Sequence, residues 1–429
     1  MISRGKLAWA AVAILLAAWT VSGCRGPAGP VVRSSNKGTI YDTANERLLK
    51  SGKALPLLEQ AWLDDVDVYA EPVAIVGWDR GASTWEVYFG TNRPASESST
   101  EDRTRFGNGM TEAPTFGRAE VFIPGRRRGV DPQREAESKG SDKGSDGGSR
   151  LDVVRAVPFD EFLAGVQSQV DRSRQRDVLL FVHGFNVDFD SSLIRTAQLA
   201  LDMPFNGAVV AYSWPTQGGV FNYDSDEPIN ARSVGPFRKF LVRLREGLSD
   251  DARLHIVVHS MGNRIVLKGL SDLPPTRATP PIDNLALCAP DVGLSDYRQW
   301  AIAAAAKCRR VTLYASRSDS ALIVSKGKHA EQRAGDAHPP VVVEGIETVD
   351  CSGIDATSFL GHSYFSGNVD VLADLFMVLK RDLAAERRSH LKASKGRGGG
   401  YWKWADSAPN DRWTWHFDHL AAGDATERR

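Results

Sequence analysis

Cysteine is scarce. Four occur in 429 residues, and with Cys24 set aside only Cys288, Cys308 and Cys351 remain, an odd number without any CxxC spacing. That pattern indicates neither a disulfide framework nor a thiolate zinc site. A surplus of charge is lacking as well, since 53 Lys+Arg stand against 53 Asp+Glu. Counterion-release binding to nucleic acid has no general basis here, and any partner must be recognised locally. Apart from the N-terminus, no stretch approaches the run of about 18 apolar residues that crosses a bilayer. HExxH, EF-hand, Walker and dinucleotide-glycine patterns are absent, so no metal or cofactor is implied.

What is present describes a folded body with appendages: 42% hydrophobic residues and 39 glycines. The N-terminus carries Arg4 and Lys6, an apolar run over 7–20, and then Val21-Ser22-Gly23-Cys24. This resembles the lipobox of bacterial lipoprotein signal peptides, in which the cysteine, here Cys24, becomes the lipidated first residue. An ordinary cleaved signal and a short membrane anchor are the alternatives, and all three export the body. Arg25 rather than Asp follows Cys24, and the resemblance then implies an outer-membrane lipoprotein of the cell envelope. Export also permits a Cys308–Cys351 bridge.

The organisation expected is a signal peptide over 1–23, a tether over 24–56 and early strands over 57–130. A linker follows over 131–150, where Ala136 is the one aliphatic side chain and too little surface can be buried to order the segment. From 151 to 386 strands and helices alternate, as in a mostly parallel, doubly wound α/β sheet with helices on both faces. Strands are expected at 73–76, 85–89, 119–123, 178–182, 208–213, 254–258, 285–289, 311–315 and 341–346. Helices are expected at 159–174, from Pro236 to about 248, from Met261, at 294–306 and at 368–384. Residues 387–429 read as a basic, glycine-rich linker and a tail holding Trp402, Trp404, Trp413 and Trp415. Those tryptophans dock on the surface or meet lipid headgroups, glycan or a protein.

The strongest chemical signal is Ile256-Val257-Val258-His259-Ser260-Met261-Gly262, an apolar strand running into a turn with Ser at its apex and a helix behind it. Such a nucleophile elbow lifts the Ser260 hydroxyl above the sheet and sets the N–H of Met261 at a helix N-terminus, where it can meet an oxyanion. Val258 stands where the G-x-S-x-G pattern has its first Gly. A second signal is Leu179-Leu180-Phe181-Val182-His183-Gly184-Phe185-Asn186. Strand followed by His-Gly is where the other oxyanion donor belongs, so the N–H of Phe185 takes that role, with Asn186 second; His183 orders the loop. An acid and a base should follow in the order Ser, Asp, His. Asp319 follows the strand at 311–315 and His362 lies in Gly361-His362-Ser363-Tyr364-Phe365; Asp291, in Ala289-Pro290-Asp291, is the rival acid.

The run VHGFN, SWP at 213–215, HSMGN at 259–263, APD at 289–291, the YAS and Asp of 314–319 and GHSYF at 361–365 resembles the bacterial α/β-hydrolases grouped as DUF900. Tyr88-Phe89-Gly90-Thr91-Asn92-Arg93 is similar to that group too, so the likeness spans about 85–385. It implies the α/β-hydrolase fold and a Ser260–His362–Asp319 triad, and it implies no substrate.

A loop or small cap at 214–236 is then expected over the site, with Trp214, Phe221 and Tyr223 either lining an acyl pocket or packing. The function expected is a cell-envelope serine hydrolase acting on a small-molecule or lipid ester, with an amidase using the same parts. It is held to the membrane by the lipid on Cys24 and has no nucleic-acid partner. The alternative is a non-catalytic envelope binding module using the Trp-rich tail, and removing 391–429 should separate the two by leaving a hydrolase site largely intact.

Overall fold

The computed structural model describes residues 72–79, 82–100, 103–124, 148–203, 205–219, 222–274, 282–317, 325, 331–352, 369–396 and 398–404. Cys24, Phe221, Asp319 and His362 lie outside them, as do Trp413, Trp415 and the linker 131–147.

Among the described residues one twisted sheet carries β1 (Ile75–Asp79), β2 (Ala82–Thr91), β3 (Thr115–Ile123), β4 (Arg150–Ala156), β5 (Asp177–Val182), β6 (Ala208–Ser213), β7 (Arg253–His259), β8 (Ile282–Cys288), β9 (Cys308–Ala315), β10 (Glu347–Asp350), β11 (Leu391–Gly396) and β12 (Gly399–Trp404). The spatial order is β11-β12-β10-β9-β8-β7-β5-β6-β2-β3-β4, with β1 added on β2. Every pairing from β12 across to β2 is parallel. The flanking pairs β1/β2, β2/β3, β3/β4 and β11/β12 are antiparallel.

The helices are α1 (Phe159–Arg172), α2 (Phe189–Asp202), α3 (Tyr223–Gly247), α4 (Gly262–Ser271), α5 (Leu294–Ala305) and α6 (Val369–Leu379). They cover both faces because side chains alternate along each strand. Leu179, Phe181, Val209, Ala211 and Val257 share a core with Leu193, Ala197, Leu375 and Val378 of α2 and α6. The alternate residue Tyr212 meets Phe237 and Phe240 of α3 on the other side, at ring-centroid distances of 5.0 and 5.1 Å. With both faces covered, β5 and β6 are buried at every position, the pattern a parallel strand requires.

Four expectations are corrected. The segment from Tyr223 is helical, so α3 starts well before Pro236 and Pro236 lies inside it; packing of Tyr223, Phe237 and Phe240 overrides the proline signal. Residues 341–346 form no strand. Ile346 N–H bonds the Val343 carbonyl (3.2 Å) across a turn with Gly345 at φ 79°, and Thr348 Oγ1 caps the Val341 carbonyl (2.7 Å), so the strand begins at Glu347. Helix α6 ends at Leu379, because the chain turns back with Leu383 N–H on the Met377 carbonyl.

The fourth concerns the tail. Residues 391–404 form a β-hairpin that extends the sheet, with β12 beside β10. Leu391 and Trp404 belong to the core and the Trp404 ring lies 4.9 Å from His390. The three described cysteines are free and buried. Parallel register sets Ala315 beside Asp350, so Cys351 lies at the far end of β9 from Cys308. At about 3.3 Å per residue that separation is roughly 26 Å, far beyond disulfide reach.

Candidate active site

The C-terminal ends of the parallel strands form one edge, where open α/β sheets place their chemistry. Ser260 occupies the turn between β7 and α4 with φ 51°. Left-handed backbone in a residue with a Cβ costs on the order of 1 kcal/mol and persists only where surroundings enforce it. The enforcement is visible: Ser260 N–H donates to the Cys288 carbonyl (2.9 Å), and its own carbonyl accepts from Asn263 N–H (3.1 Å), Asn263 Nδ2 (2.9 Å) and Asp291 N–H (3.2 Å). Asn186 (φ 57°) and Ala289 (φ 47°) repeat the strained conformation in the loops that follow β5 and β8. Arg176 (φ 58°), before β5, and Asp382 (φ 49°), after α6, share the conformation away from the serine.

The loop after β5 lies directly against this turn. A Cβ on Gly184 would come 2.8 Å from Ser260 Cβ, and a Cβ on Gly262 would come 2.4 Å from the His183 carbonyl oxygen. Both approaches need glycine. Close contact at Gly184 and Gly262 lets the elbow form although Val258 replaces the usual glycine; Val258 is itself buried and sits in register between Val182 and Leu287. The structure thus brings Ser260, Met261 and the Phe185 loop together.

His183 orders the loop. Its Nδ1–H donates to the Gly184 carbonyl (2.8 Å), its ring stacks on Trp214 at 5.4 Å and 3°, and Trp214 Nε1–H donates to the His183 carbonyl (2.9 Å). Burial, reinforced by the Arg93 charge, pushes His183 down to about 3, so the ring is neutral. Trp214 is wholly buried with its N–H committed. Tyr223 is also buried, its hydroxyl directed into a polar cluster.

That cluster centres on Asp291. Tyr223 Oη–H donates to Oδ2 (2.5 Å) and Ser325 Oγ–H to Oδ1 (2.7 Å), while Arg264 Nη2 reaches Oδ2 (3.2 Å) and Arg333 Nε reaches Oδ1 (3.1 Å). Burial opposes ionisation of Asp291, but the Arg264 and Arg333 guanidinium groups and the two hydroxyls outweigh it and hold the carboxyl at about 2. Both oxygens of the rival acid are thus engaged by groups other than histidine.

Arg93 is a second feature that charge patterning does not reveal. Fully buried, it donates through Nε to Ser213 Oγ (3.1 Å), through Nη2 to the Val187 carbonyl (2.9 Å) and through Nη1 to Asn108 Oδ1 (3.2 Å). It ties the end of β2 to the end of β6 and to the segment after the Phe185 loop. Its only sequence signal is the Thr91-Asn92-Arg93 run.

A family model described as an alpha/beta hydrolase of unknown function, DUF900, matches residues 160–381, just over half of the chain. Among solved structures, an esterase from Pseudomonas putida is 13% identical, with 82% of this chain and 99% of that one covered and a TM-score of 0.31. An esterase from Pyrococcus furiosus is 12% identical over 67% and 92% of the two chains, TM-score 0.29. Esterase B from Lactobacillus rhamnosis is 10% identical over 79% and 97%, TM-score 0.31. At such identities and TM-scores they carry no chemistry over to this chain. No curated protein matches it.

Proposed function

The chain belongs to the DUF900 family of α/β hydrolases, and from that premise we propose that it is a cell-envelope serine hydrolase that cleaves an acyl ester through an acyl-enzyme. Ser260 attacks the ester carbonyl, His362 takes its proton and returns it to the leaving alcohol, and Asp319 holds the imidazole. The N–H groups of Phe185 and Met261 receive the oxyanion. Water then releases the acid by the reverse sequence of proton transfers.

The observation that carries the reading is the φ of 51° at Ser260, held at the strand–helix turn with the Gly184 loop pressed against it. A serine in an ordinary turn has no need of this strain. Topology supports the remaining members. β9 and β10 follow β8 and β7 in the sheet and run parallel to them, so the segments leading to Asp319 and His362 depart from the edge that holds Ser260. Asp319 lies four residues beyond Ala315 and His362 twelve beyond Asp350; at about 3.3 Å per residue and 4.8 Å between strands, the chain is long enough for the proposed roles.

The substrate class proposed is a small-molecule or lipid ester, met by a protein held at the outer membrane through a lipid on Cys24. Labelling lipid-free protein that begins after Cys24 with a fluorophosphonate tests the chemistry. Labelling of wild type that vanishes in Ser260→Ala and His362→Ala is the expected result. Folded wild type that does not label overturns the reading.

A further inference from the structure

We infer that Tyr223 and Asp291 form a positioning pair that locks the oxyanion loop to the nucleophile turn, an assignment that rests on the serine-hydrolase reading above. The two residues join three separate segments. The Phe185 ring packs edge-on against Tyr223 at 5.4 Å and 61°, so Tyr223 supports the loop proposed to donate one oxyanion hydrogen bond. The Tyr223 hydroxyl donates to Asp291 Oδ2 at 2.5 Å. Asp291 in turn donates its backbone N–H to the Ser260 carbonyl at 3.2 Å. A continuous chain of contacts therefore runs from Phe185 through Tyr223 and Asp291 to Ser260.

Arg264 closes the chain into a ring. It sits in the first turn of α4, the helix behind the nucleophile, and donates to the Asp291 carbonyl through Nε (2.6 Å) and to Tyr223 Oη through Nη2 (2.7 Å). Glu227, on α3 with Tyr223, accepts from Arg264 Nη1 (2.7 Å). Ser325 and Arg333 hold the second Asp291 oxygen. Among the described residues, the side-chain contacts of Asp291 go to Tyr223, Ser325, Arg264 and Arg333, and none goes to a histidine. Asp291 is thus an anchor for the geometry and not the acid of a triad.

The mechanical consequence is specific. An oxyanion donor acts only if it is already set at hydrogen-bond distance from the developing charge, and sub-ångström displacement weakens transition-state binding more than ground-state binding. Tyr223→Phe keeps the ring under Phe185 and removes the link to Asp291; Tyr223→Leu removes both.

The test uses p-nitrophenyl butyrate, active-site titration with a fluorophosphonate and a trifluoromethyl ketone as transition-state analogue. The expected result for Tyr223→Phe is about a tenfold fall in kcat per titrated site with KM nearly unchanged, and a parallel loss of ketone affinity. Tyr223→Leu should lose about a hundredfold. Asp291→Asn should fall with Tyr223→Phe, whereas a triad acid would lose on the order of 10⁴. If Tyr223→Phe merely melts earlier, with kcat per titrated site and ketone affinity unchanged, the pair is structural and the inference is overturned. A rise in KM at constant kcat overturns it too. Folded wild type that neither labels nor turns over ester defeats the hydrolase reading and this inference together, an outcome distinct from an active wild type with an indifferent Tyr223→Phe.

Discussion

Gly184 and Ser260 touch: a Cβ on the glycine would lie 2.8 Å from the serine Cβ and 3.0 Å from His259 Nδ1. Neither neighbour is the free end of a flexible chain, so Gly184→Ala must push the loop after β5 away from the Ser260 turn. A drop in kcat of about a hundredfold is expected, with the melting temperature lowered by only a few degrees. Ester turnover and thermal melting of the same sample measure both.

The strained backbone at Ser260 leads to a prediction about stability without activity. Ser260→Gly and Ser260→Ala should both be inactive. Glycine adopts φ 51° without penalty and alanine does not. Ser260→Gly should be the more stable of the two by about 1 kcal/mol in urea denaturation. Equal stability would mean that the turn relaxes once the hydroxyl is gone.

Buried carboxylates set the acid limit. Asp374 accepts from Arg388 Nη1 (2.5 Å), Tyr314 Oη (2.6 Å) and His390 Nε2 (2.6 Å). Burial opposes its ionisation, but Arg388 and His390 outweigh burial and hold it at about 2, as Asp291 is held. Both pKa values lie below those of the unfolded chain, so the unfolded state binds more protons and stability falls as pH drops from about 4 through 2. Each carboxylate contributes on the order of 2 kcal/mol above that window. Asp374→Asn should flatten the acid limb of a stability–pH curve while costing about 2–3 kcal/mol at neutral pH, because buried Arg388 loses its pair with Asp374 and keeps the one with Glu347.

Free thiols can be counted. Cys288, Cys308 and Cys351 are buried, and burial raises all three thiol pKa values. In protein beginning after Cys24, a chromogenic disulfide reagent should find no reactive thiol in the native state and three in denaturant without reductant. A count of one in denaturant would reveal a bridge.

Truncation before Leu391 should unfold more than a tail. Leu391 and Trp404 are core residues, and β12 covers the edge of β10. Losing them should cost several kcal/mol through lost apolar burial and an exposed strand edge. Circular dichroism melting of a chain ending at His390 checks this, and a retained melting temperature would show that the hairpin adds nothing.

The order and type of the central elements were legible because local patterns there agree with the fold. β5, β6, β7, β8 and β9 announce themselves as short apolar runs, and α5 as an Ala-rich stretch ended by a strand. The elbow was legible because a strand, a serine and a following glycine occupy consecutive positions. Where reading failed, a long-range partner had decided the conformation. Pro236 sits inside α3 because aromatic packing on Tyr212 holds that helix, and the polar, glycine-rich run at 391–404 is a strand pair because β10 offers an unfilled edge.

Sequence by itself therefore determined the fold class, the strand–serine–helix turn at Ser260 and the loop that faces it, since each depends on residues adjacent in the chain. Only the tertiary structure decided what surrounds Asp291. Its neighbours Tyr223, Arg264 and the Ser325–Arg333 pair come from three separate places in the chain. Two guanidinium groups and two hydroxyls surround the carboxylate, and only folding brings those groups together.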